Sequence, residues 1–196
     1  MFDIPTSVDI CGTEYNIRDD GDFRMVLDCF SALQDADLSQ EERLITSVVI
    51  FYDTFSLDNV FEILDTQEKM NEAVAKMYDF FNCGQKNMGN KSPHKLLDWE
   101  QDEMLIASAI NKVAGEEVRF AEYIHWWTFM GYYMSIGESI LSTVVQIRSK
   151  IVEGEKLEDY EKKFRRKNPE YFVWNRQTVE QQEADAFVRE LWNSEN

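Results

Sequence analysis

Glu122-Tyr123-Ile124-His125 sets a carboxylate and an imidazole three residues apart, the spacing with which helical bundles bridge a di-iron or di-manganese centre. Such a centre needs a second copy of the motif on another helix. The other histidine, His94, has Lys91 three residues before it, a cation and no ligand. A lone motif of this kind is more often a helix-edge histidine, here beside Trp126. The stretch from Gly84 to Ser92 has the glycine spacing of a phosphate loop, but its lysine, Lys91, stands one residue too late and the stretch follows a helical pattern where a phosphate loop follows a buried strand. The carboxylate groups Asp19 and Asp20, Glu116 and Glu117, and Asp98, Asp102 and Glu103 fall at expected helix caps and solvent faces, where acids suit helix N-termini. No serine sits in a GxSxG elbow and no cysteine neighbours a histidine. The sequence therefore assigns no catalytic, cofactor-binding or metal-binding residue.

Two features suit contacts between macromolecules. The run Lys162, Lys163, Arg165, Arg166 and Lys167 is the one positive cluster, and it falls at the end of a helix whose start carries Glu155, Glu158 and Asp159. That order complements the helix dipole, and it also suits an acidic partner, including the acidic front half of another copy. Trp126, Trp127, Phe129, Tyr132 and Tyr133 belong to an aromatic segment with too many rings for one face of one helix. Most are expected in the core, the rest on a surface for self-association or for a client.

Composition narrows the class. Acids outnumber bases 37 to 20, giving −17, so nucleic acid is not an expected partner. Residues 1–85 hold 18 acids and 5 bases, net −13, whereas residues 86–150 are close to neutral. Only 8 Gly and 3 Pro disfavour an all-β sandwich. The three separated cysteines, Cys11, Cys29 and Cys83, suit reduced thiols. The opening residues lack the charge and apolar pattern of a signal peptide, and no apolar run approaches the ~20 residues of a membrane span, so a protein that folds and works inside a cell is expected.

The elements that must position these residues are mainly α-helical, in a compact multi-helix domain with a small N-terminal β-hairpin. Alternation over 7–17 predicts the hairpin, turning near Cys11 and Gly12. Asp22 heads a helix carrying Phe23, Val26, Leu27, Phe30 and Leu33, and Ser39 with Glu42 forms a capping box for a second, running to Tyr52. A third runs from Thr66 to Gly84 and a loop spans 84–95. Asp98 is expected to cap a fourth, closed by Gly115, followed by helices over 136–152, 156–168 and 178–192.

The blocks LLDWEQDEMLIASAINKVAG (96–115), HWWTFMGYYMSIGESILSTVVQIRSK (125–150) and GEKLEDYEKKFRRKN (154–168), with the front segment 5–44, resemble a siphophage family of Gram-positive hosts known by its place in the phage map, the fifteenth gene product. The resemblance covers about residues 1–168, leaving 169–196 as a C-terminal helical extension. It implies a tail assembly chaperone: a non-catalytic protein of the host cytoplasm, absent from the mature virion. Such a protein would bind and solubilise the tape measure protein, self-associate, and also meet the major tail protein. It needs no cofactor and no membrane. The rival expectation is a virion structural subunit, a connector or tail-completion protein; a metal enzyme built on Glu122 and His125 is the weaker third.

Overall fold

Cys11 and Gly12 both take positive φ, 49° and 82°, which lets two residues reverse the chain between β1 (Ser7–Ile10) and β2 (Thr13–Asn16). Such a turn matches the twist of the strands it joins, and glycine adopts the geometry without strain. The strands pair antiparallel with Ile10 opposite Thr13 and Ser7 opposite Asn16. The computed structural model describes residues 3–85 and 95–174. These fall into two compact units that part between Gly84 and Gln85.

In the first unit, α1 (Phe23–Leu33) begins where the Asp22 carboxylate accepts the Arg24 N–H at 2.9 Å. Its buried face, Met25, Val26 and Cys29, packs on α2 (Gln40–Phe51). The expected capping box heads α2: the Ser39 hydroxyl accepts from the Glu42 N–H at 3.3 Å, and the Glu42 carboxylate accepts from the Ser39 N–H at 2.8 Å. Ser39→Ala should cost about 1 kcal/mol, read as a lower urea midpoint; an unchanged midpoint would show the cap to be idle.

The second helix is one residue shorter than its apolar stripe. Tyr52 leaves α2 in an extended conformation, bridges to Ile17, and donates its hydroxyl to the Ala73 carbonyl at 2.8 Å. The end of α2 is closed by Arg18, whose guanidinium donates to the carbonyls of Ile50 (2.8 Å), Val49 (3.1 Å) and Tyr52 (3.0 Å). A cation there satisfies carbonyls that the helix cannot, and it complements the helix dipole. Between α2 and α4 (Gln67–Phe81) lies α3 (Val60–Ile63), one turn too short to announce itself by periodicity. Phe51 anchors the core, edge-on to Tyr52, Phe80 and Phe81 at 4.8 to 5.7 Å.

In the second unit, α5 (Glu103–Ala114) packs on α6 (Trp126–Met134) and α7 (Ile140–Val152), with α8 (Asp159–Lys167) after them. Three expected starts move. Asp98 caps a turn rather than a helix, accepting from the Glu100 and Gln101 N–H groups, so α5 begins at Glu103 after Asp102. α7 starts at Ile140 and not Ile136, because Ser139 is extended and caps it with Ser142. Glu158 plays the boundary role for α8, which begins at Asp159 and not Lys156. Gly115, at φ 78°, ends α5 as expected. The segment over 178–192 and most of the loop over 84–95, with its phosphate-loop-like run, lie outside the described residues. No described helix is long and apolar enough to cross a membrane.

Candidate interaction surfaces

Every sequence-predicted contact residue lies in the second unit. Trp126 and Phe129 are buried, stacked at 5.7 Å, with Trp99 edge-on to Trp126 at 5.8 Å and tilted against Tyr133 at 5.4 Å. The five expected aromatics therefore divide: Trp126 and Phe129 close the core, and Trp127, Tyr132 and Tyr133 keep part of their surface open. His125, 2% exposed, is the N-cap of α6, its Nδ1 accepting from the Trp127 N–H at 3.0 Å. That ring nitrogen is committed to the backbone, and Glu122 points to solvent.

The basic run occupies α8. Its first turn is acidic and its last turn holds Arg165, Arg166 and Lys167, in keeping with the dipole. The helix is tied to α7 by Lys150, which donates to the Glu161 carboxylate at 2.8 Å. That carboxyl is 1% exposed, and Lys150, joined by the Glu158 N–H, holds it below the ordinary glutamate range. Phe164 sits edge-on to Phe172 of the following 3-10 turn, Pro169–Phe172. Between this turn and α8 opens a groove of about 500 Å³ with Leu157, Pro169, Phe172 and Val173 as its apolar lining and Lys162, Arg165 and Arg166 around it. Lys162 pairs with Asp159 at 3.0 Å, Lys163 does not line the groove, and neither arginine has a carboxylate partner among the described residues.

The first unit carries a surface that sequence reasoning missed. The N-terminal halves of α2 and α4 flank a groove of about 820 Å³, where Leu44, Ile45, Leu64, Met70 and Val74 present apolar surface and Phe61 stands as a wall. Glu41 and Asp65 are its charged lining residues, the latter paired with Lys69 at 2.8 Å. Leu44, Ile45, Met70 and Val74 read as ordinary core stripes in the sequence. The signal available was that both stripes begin about two turns or more before the buried aromatics Phe51 and Phe80.

A family model described as Bacteriophage Gp15 protein matches residues 1–172, which covers the groove between α2 and α4 and all of the α8 groove except Val173. The chain belongs to the bacteriophage Gp15 family. No curated protein and no solved structure matches it. The Gp15 match reaches Phe172, four residues beyond the resembling stretch, so the apolar lining of the basic groove lies almost wholly inside the family region. Gp15 proteins are a structural or assembly type of phage protein and not a known enzyme family.

Proposed function

We propose that this Gp15 protein is a tail assembly chaperone that binds and solubilises the tape measure protein of a siphophage of a Gram-positive host. One observation carries the proposal: an apolar groove flanked by two helices, with acidic residues beside it, on a chain of net charge −17. A tape measure is a long helical chain with an apolar face, and a helix of that kind lays apolar residues at i, i+3, i+4 and i+7 into a groove of this form. The surrounding negative charge keeps a complex with an aggregation-prone client in solution. The chaperone would act in the host cytoplasm, hand its client to the polymerising major tail protein, and be left out of the virion.

Co-expression with the cognate tape measure protein should raise that protein's soluble yield and co-purify the two. Met70→Glu, which puts a charge in the groove, should abolish co-purification while leaving the circular dichroism spectrum unchanged. Unaltered client solubility without co-purification would overturn the proposal. So would stoichiometric amounts of this chain in purified virions, the result expected of a connector or tail-completion subunit.

A further inference from the structure

Leu57 and Phe61 are 67% and 57% exposed, four residues apart where the chain enters α3. Single exposed apolar residues are ordinary, but two together form a knob that a folded protein leaves in water at a cost. Asp58 and Glu62 flank them, both exposed and neither with a cationic partner among the described residues. The groove beside α8 is the inverse of this knob, apolar within and ringed by Arg165 and Arg166. Its volume of about 500 Å³ accommodates two side chains. Both arginines are exposed, so their guanidiniums can pair with carboxylates through two parallel hydrogen bonds.

We propose that copies of this chain associate head to tail, the Leu57–Phe61 knob of one copy seated in the α8 groove of the next. A second copy is the occupant because this one chain carries both complementary halves. Residues 1–85, which bear the knob, are net −13, so a neighbour's acidic unit is repelled by most of a −17 surface and attracted where the arginines cluster. The contact joins two different patches, so it leaves a free knob at one end and a free groove at the other, and it propagates into a ring or an open chain. Each contact is small against the ~1,200 Å² of a stable pairwise interface, so association is weak for a pair and strengthened when a ring closes. The assembly does not require the chain to be a chaperone, but Phe61 also walls the groove between α2 and α4, so a seated knob and a bound client compete for it.

Sedimentation of the full-length protein across the micromolar range tests it. The native mass should rise with concentration, whereas R165E/R166E and L57S/F61S should each remain monomeric, their circular dichroism unchanged because all four residues are exposed. An equimolar mixture of these two variants has one working knob and one working groove, so it should form dimers that grow no further. Adding D58R/E62R to R165E/R166E in the same chain reverses both signs and should restore the native behaviour. A native monomer at every concentration overturns the proposal. So do oligomers that survive either double substitution, as expected of a contact through Trp127, Tyr132 and Tyr133.

Discussion

Replacing Arg148 by methionine should destabilise the second unit by about 3–5 kcal/mol, the typical consequence of removing one partner of a buried ion pair. Arg148 and Asp102 are 5% and 2% exposed and meet through two parallel bonds of 2.6 and 2.9 Å. The same guanidinium donates to the Tyr171 carbonyl at 2.9 and 2.6 Å and to the Leu96 carbonyl at 3.0 Å, and it lies 4.2 Å from the Trp174 ring centre. Methionine fills much of the volume but donates nothing. Asp102 is then left charged in a buried site with only the Asp98 N–H as a remaining donor in this group, and two carbonyls lose theirs. A loss of that size is a large fraction of the 5–15 kcal/mol that holds an ordinary domain. Urea unfolding followed by tryptophan fluorescence measures it, and a loss below about 1 kcal/mol would show that water replaces the guanidinium. The double variant D102L/R148M, which removes both charges, should recover much of the loss, since most of the penalty is the stranded carboxylate.

Cys11 should be a poor nucleophile although it is exposed. Its thiol donates to a Glu72 carboxylate oxygen at 3.0 Å, and its backbone N–H donates to the same oxygen at 2.9 Å. Chiefly through that hydrogen bond, the thiol is pushed from an ordinary 9.0 up to about 11. At pH 8 the thiolate is then about a hundredfold scarcer than in a free cysteine. Part of this is returned because a more basic thiolate attacks faster, leaving alkylation by iodoacetamide about tenfold slow. The sign also fixes the pH window. A raised thiol pKa favours the protonated, folded contact, which is complete below pH 9 and lost as pH rises through about 11. Peptide mass spectrometry against pH should place the midpoint of Cys11 labelling near 11, and Glu72→Gln should bring it down toward 9. A midpoint near 9 in the native protein would mean that the carboxylate does not hold the thiol.

Local chemistry made much of the fold legible. Asp22, Ser39 with Glu42, and Gly115 announce helix ends through bonds to residues two to four positions away, and Cys11-Gly12 announces its turn through backbone conformation alone. Two of the three misplaced starts share one cause: the patterns at Ile136 and Lys156 run on into the helices that follow, whereas the boundaries are set by the caps Ser139 and Glu158. The third moved because Asp98 caps a turn ahead of the helix. What could not be read locally was long-range. Arg18 closes a helix more than thirty positions away, and Arg148 meets Asp102 across 46. Arg148 did leave a trace, a cation directly after Ile147 on the buried stripe of Leu141 and Val144. The groove between α2 and α4 was illegible for the same reason, since Leu44 and Met70 become neighbours only after folding, whereas the α8 groove is built within residues 157–173 and only its apolar lining went unread.

The clasp at Arg148 also brings together the two ends of the second unit. One guanidinium holds the carbonyl of Leu96, near the unit's entry, and that of Tyr171, near its exit, so the two ends of the segment lie side by side. Adjacent ends are what let a module be inserted into another protein or be circularly permuted without tearing its interior. The unit is thus built as a cassette, and sequence added ahead of Leu96 or behind Trp174 lengthens its connections while leaving the contacts among α5, α6 and α7 as they are.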